Sequence, residues 1–149
     1  MERHSLSTYL IFLCGGLVAW KVNKQKTISL SSTEAEYVSL SVCAQDVLWL
    51  ISFLTDIVPQ TAIAIPATIF CDNQGAIKLI TQPNQTQRLP KHVDVRYLFV
   101  RNILKEHKNI NIEYLETDSM LADVLTKPLP APRFLSLRQS FMFPTSTDR

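Results

Sequence analysis

The order of periodic segments predicts an α/β fold with a mixed sheet. Two β-rich runs meet at a tight turn, a long amphipathic helix follows, and single short strands then alternate with helices. Strands joined by a tight turn are antiparallel, whereas strands separated by helices tend to be parallel, so the sheet is expected to contain both pairings. At 149 residues, with 46% hydrophobic and 19% charged residues, the chain suits one globular domain, taken as residues 5–142 with a frayed tail at 143–149.

The elements follow in order. Thr8 to Leu13 reads as a strand, Gly15 and Gly16 as its turn, and Leu17 to Val22 as the returning strand, which runs into a basic turn at Asn23 to Lys26. The apolar run from Tyr9 to Trp20 has the length of a signal-peptide core but is too short to span a bilayer, and its glycines divide it into a hairpin. A helix is predicted from about Ser32 to Asp56, a buried strand at Ala67 to Cys71, and a short helix at Ala76 to Ile80. Another helix from about Val93 to His107 would bury Val93, Tyr97, Val100, Ile103 and Leu104. A strand at Asn111 to Leu115 leads to a short helix from Met120 to Thr126 capped by Asp118, and a last helix from about Pro132 to Met142 would bury Phe134, Leu137 and Phe141.

The segment LSSTEAEY, Leu30 to Tyr37, separates two glutamates by geometry. Ser31 reads as an N-cap with Glu34 three residues on, a capping box that satisfies backbone donors of the first turn. Steps of three and four from Glu36 reach Leu40, Cys43, Val47, Leu50, Ile51 and Leu54, so Glu36 heads the stripe to be buried. The same steps from Glu34 reach Val38, Ser41 and Gln45, a face expected to be wetter. A carboxylate at the head of an apolar stripe is costly unless it is paired or binds a metal; the bland alternative is a solvated first-turn acid favoured by the helix dipole.

Two further acids join it. Asp72 ends the buried strand, and ligands of such sheets gather at the carboxyl ends of central strands; Asp123 lies in the short helix after the last strand. Singly, Asp72 could cap the next helix and Asp123 could be a solvated helix residue. Together the three fit a chemistry in which carboxylates hold two divalent cations about 3.5–4 Å apart on a phosphodiester. Hard oxygen donors suit magnesium, and the scattered Cys14, Cys43 and Cys71 offer no paired spacing for zinc or a disulfide framework, which points to a reducing compartment. Net charge is only +2, so nucleic-acid binding would rest on local patches, with Lys21, Lys24 and Lys26 as one and Lys91, Arg96, Arg101 and Lys105 as another; solvated faces are the plainer reading of both. Asn73 and Gln74 could hydrogen-bond a sugar hydroxyl or cap the next helix. His92 reads as structural, and His4 and His107 as surface residues.

The strings VAWKVNKQKTISLSSTEAEYVSLS, TIFCDNQGAIKLI, KHVDVRYLFVRN and IEYLETDSMLADVLTKPLPAPRF resemble the C-terminal ribonuclease H domain of copia-type retrotransposon Pol polyproteins, over about Ser5 to Phe141. The resemblance implies an RNase H-like mixed sheet flanked by helices and magnesium-dependent cleavage of RNA in RNA/DNA hybrids during reverse transcription. By motif it places the family's site on Glu36, Asp72 of CDNQ and Asp123 of LADVLTKPL, with Asn73, Gln74, Lys24 and Lys26 as candidate substrate contacts. Implied partners are the hybrid and the reverse transcriptase portion of the same polyprotein, with no membrane, in a cytoplasmic virus-like particle or the nucleus rather than outside the cell. Family members also carry an earlier, central strand whose aspartate touches both metals. Met1 falls after it, so unpaired strand edges, an incomplete metal site and impaired cleavage are expected. The competing readings are a non-catalytic nucleic-acid or protein-binding module and a poorly folded remnant.

Overall fold

A computed structural model describes residues 5–25, 31–58, 65–82 and 91–142, with side chains of the last segment from residue 98 onward. Strands β1 (Leu6–Leu13) and β2 (Gly16–Lys24) form an antiparallel hairpin. Helix α1 (Ser32–Ile57) follows, then β3 (Ala67–Cys71), α2 (Gln74–Thr81), α3 (Lys91–Glu106) and β4 (Ile110–Tyr114). Two 3₁₀ turns, Thr117–Ser119 and Leu121–Leu125, precede helix α4 (Ala131–Gln139).

The architecture is α/β with both pairings, but among the described residues the strands form two separate pairs: β1 with β2 antiparallel, and β3 with β4 parallel in the register Ala67 to Ile110 through Cys71 to Tyr114. Helix α1 packs against both pairs and against α2 and α3. One core joins Tyr9 and Ile11 of β1, Tyr37, Leu40 and Val47 of α1, Ile69 of β3, Ile80 of α2, and Val100 and Ile103 of α3. By length and composition α1 could cross a membrane, but here it is the central packing helix of the domain.

The hairpin turn lies one residue earlier than expected. Cys14 and Gly15 are its two central residues, both with positive φ (51° and 82°), while Gly16 opens β2 opposite Leu13. A two-residue hairpin loop needs this left-handed pair to match strand twist, and the sequence shows a glycine at only one of the two positions.

Several other expectations are corrected. The region after β4 forms two 3₁₀ turns instead of one α-helix, and Asp118 lies inside the first without capping it. Helix α4 buries Leu137, whereas Phe134 is exposed and Phe141 only partly covered, because α4 packs mainly on the short 3₁₀ segment. Val100 and Ile103 are buried as expected, whereas Val93, Tyr97, His92, Lys91 and Arg96 fall outside the described side chains. The tail at 143–149, His4 and Lys26 lie outside the described residues.

A non-glycine residue in the left-handed region costs roughly 1–2 kcal/mol, and asparagine tolerates it best. Cys14→Asn is therefore expected to stabilise the fold by about 1 kcal/mol in chemical denaturation; an unchanged or lowered midpoint would refute the turn assignment.

Candidate metal centre

Ser31 has extended backbone (φ −150°, ψ 161°), and its hydroxyl accepts the Glu34 N–H at 3.1 Å, the cap read from the sequence. The face assigned to Glu34 is not the wetter one. Glu34, Val38 and Ser41 are buried and only Gln45 is exposed, since α2 and α3 cover α1 on that side. Gly75 of α2 comes close to α1 there: a Cβ at that position would stand 3.3 Å from the Thr33 hydroxyl. Glu36 does head the apolar stripe, but it opens into a cavity and is solvent-accessible.

Strand β3 delivers the second carboxylate. Ile69 and Cys71 anchor it in the core, and Asp72 follows at its carboxyl end, beside the first turn of α1. Glu36, Cys71 and Asp72 bring one ligand atom each within 4.8 Å of the other two. Although water reaches Glu36, surrounding protein weakens its hydration, and the charges of Asp72 and Asp123 add to this, so its carboxyl is held above the ordinary value of 4.5; Lys127 opposes the shift. The Cys71 thiol is pushed up to about 11, chiefly by burial, so at neutral pH it is a protonated neighbour and a poor donor to a hard cation.

Asp123 sits in the second 3₁₀ turn, 7% exposed, and lines the same cavity as Glu36 and Asp72. It is already neutralised. Lys127, four residues on, approaches to 3.0 Å, and Arg133 from α4 donates to the same oxygen, Oδ2, at 2.9 Å. Arg133 also donates to the Thr117 carbonyl at 2.7 Å and lies 3.6 Å from Asp118, so one guanidinium ties α4 to both 3₁₀ turns. Neither Lys127 nor Arg133 stood out in the sequence, although the four-residue spacing of Asp123 and Lys127 was a readable signal.

The remaining candidates divide. The Asn73 side chain accepts the Ala76 N–H at 3.0 Å and caps α2, the structural alternative. Gln74 is exposed at the start of α2. Lys24 is exposed at the end of β2, where buried Gln25 donates to Ser7 and to the Ala35 carbonyl, bringing Lys24 to the Glu36 end of α1. Lys21 pairs instead with Asp46 at 3.1 Å, and the Tyr9 hydroxyl donates to the same carboxylate.

As to fit, a magnesium ion is commonly held by one or two carboxylates with water and substrate phosphate completing its shell. Glu36 and Asp72 supply that minimum, and Asp123 is within electrostatic reach but committed to two cations.

Two outcomes test this geometry. A carboxyl group whose value is raised on folding adds stability while protonated and loses it as pH rises past 4.5 toward the raised value. Glu36→Gln should therefore raise the melting temperature at pH 7, with the gain vanishing below pH 4.5; a gain that persists in acid would contradict the charge origin. Arg133→Ala should destabilise the fold by about 1.5 kcal/mol, the low end for a hydrogen bond to a charged group because Lys127 remains, and no change in urea denaturation would show the clamp to be idle.

No protein-family model matches the chain, and no solved structure matches it. Among curated proteins, it is 35% identical over 130 residues, 87% of its length, to the retrovirus-related Pol polyproteins from transposons RE2 and RE1 of Arabidopsis thaliana. It is 31% identical over 133 residues, 89% of its length, to the retrovirus-related Pol polyprotein from transposon TNT 1-94 of Nicotiana tabacum. The chain spans only 9–10% of the length of these relatives. The sequence thus corresponds to one segment of a retrovirus-related Pol polyprotein of the transposon type.

Proposed function

We propose that this segment is the RNase H-like domain of a copia-type Pol polyprotein, that its substrate is the RNA strand of an RNA/DNA hybrid, and that its cofactor is magnesium. The observation that carries this reading is the convergence of Glu36 and Asp72 at the carboxyl end of β3, with Asp123 in the same cavity. When bound, magnesium would supply Lewis-acid stabilisation of charge on a phosphodiester.

The chain's own residues set the terms of binding. Burial and, after it, the charges of Asp72 and Asp123 hold the Glu36 carboxyl above its ordinary value, and a divalent cation would relieve the repulsive part, turning it into cation affinity. Lys127 and Arg133 hold Asp123 in place and lessen its demand for a metal. Gln74 and Lys24, both exposed, would contact sugar and phosphate in this reading, whereas Asn73 acts by fixing the start of α2. With only two of the site's carboxylates, Glu36 and Asp72, unpaired among the described residues, cleavage by the 149-residue chain alone is expected to be slow. The second reading, a non-catalytic module that binds nucleic acid, is favoured by that same shortage.

A labelled RNA/DNA hybrid incubated with the chain and magnesium tests both. Slow RNA-strand cleavage that falls at least about tenfold in Asp72→Asn, roughly 1.4 kcal/mol of lost transition-state stabilisation, supports the enzyme. Hybrid binding that is indifferent to magnesium and to Asp72→Asn, without cleavage, supports the module.

A further inference from the structure

Asp123 carries two cationic partners on one oxygen, Oδ2, and the two are held differently. Arg133 reaches it at 2.9 Å and is itself fixed, since its guanidinium also donates to the Thr117 carbonyl at 2.7 Å and stands 3.6 Å from Asp118. A rigid fork shared among several acceptors cannot leave one of them without disturbing the others. Lys127 reaches the same oxygen at 3.0 Å, but 49% of its side chain is exposed, and among the described residues Asp123 is its one ion-pair partner. An ion pair so exposed adds little to stability, so little holds the ammonium where it stands. Its charge is also felt beyond Asp123. Lys127 opposes the upward shift of the Glu36 carboxyl, so a single mobile cation acts on two of the three acids.

We propose that Lys127 is a phosphate-binding residue as well as the counter-ion of Asp123: its ammonium passes from Asp123 to a phosphate of the bound nucleic acid, Arg133 keeps Asp123 in position, and Asp123 is thereby opened to a cation as a third carboxylate. Lysine suits the exchange, because a compact charge with three donors on a flexible stem can serve a carboxylate and a phosphate in turn. One ammonium–carboxylate contact is given up for one ammonium–phosphate contact, and no proton moves. Asp123 keeps the Arg133 hydrogen bond on Oδ2, while its Oδ1 makes no hydrogen bond or ion pair among the described residues. A carboxylate that ligates a metal is ordinarily steadied by such an outer hydrogen bond. Release of the ammonium also adds unbalanced negative charge beside Glu36 and Asp72, which strengthens the pull on a divalent cation. The proposal rests on the nuclease reading of these acids and makes the third one available only when substrate is present.

Two titrations of the 149-residue chain test it, with Lys127→Met and Lys127→Arg beside the unaltered sequence. In the first, Mn²⁺ is added without nucleic acid and the paramagnetic resonance of the free ion is followed. Lys127→Met should bind Mn²⁺ at least about threefold more tightly, and Asp123→Asn added to it should abolish that gain. In the second, an RNA/DNA hybrid is titrated in the presence of a chelator over a range of salt concentrations. Lys127→Met should weaken binding and lessen the slope of log affinity against log salt by about one, whereas Lys127→Arg, which keeps a cation for the phosphate, should preserve the slope. A lysine that only neutralises Asp123 would give the Mn²⁺ gain with an unchanged slope, and that result overturns the proposal, as does an unchanged Mn²⁺ affinity in Lys127→Met. Either leaves the nuclease reading standing where the unaltered chain binds both Mn²⁺ and hybrid; failure of the unaltered chain to bind them overturns both.

Discussion

Helix α1 lies under two strand pairs that exchange no backbone hydrogen bond with each other in the described residues, and its apolar stripe is what both pairs share. Leu40, Cys43 and Val47 belong to the same core as Tyr9 and Ile11 of one pair and Ile69 and Cys71 of the other. Fixing α1 therefore fixes the separation of the pairs, the cavity between them and the place of Glu36. The Ser31 cap sets where that helix starts, and the rise and twist of an α-helix then assign Glu36, rather than Glu34, to the cavity.

The electrostatics of the site follow from this framework. Glu36 and Asp72 come from different elements and meet because α1 crosses the carboxyl end of β3. Their charges repel, whereas Asp123 is matched by Lys127 and Arg133. The cavity end thus holds one clamped carboxylate and two without an ion pair among the described residues, an asymmetry set by Lys127 and by Arg133 of α4.

Much of this was legible in the sequence. The strand Ala67–Cys71 has the predicted bounds, α1 begins at the predicted residue, and periodicity marked Val100 and Ile103 as core. What periodicity missed depends on neighbours. The Glu34 face is buried because α2 closes on Thr33 through Gly75, a contact between elements far apart in the sequence. The left-handed Cys14 is set by hairpin twist rather than by its own preference. The Arg133 clamp joins residues ten apart across two turns, a spacing with no helical or strand signature. Their places at a helix start, a strand end and a short helix grouped Glu36, Asp72 and Asp123, the family resemblance falls on the same three, and geometry adds that Asp123 arrives already paired.

The central claim is that Glu36 and Asp72 form a divalent-cation site at the end of β3. Titration of the chain with Mn²⁺, followed by the electron paramagnetic resonance signal of the free ion, tests it directly. The account predicts saturable binding that magnesium competes away and that Glu36→Gln weakens at least tenfold; binding that is absent, or equally strong in Glu36→Gln, would contradict it.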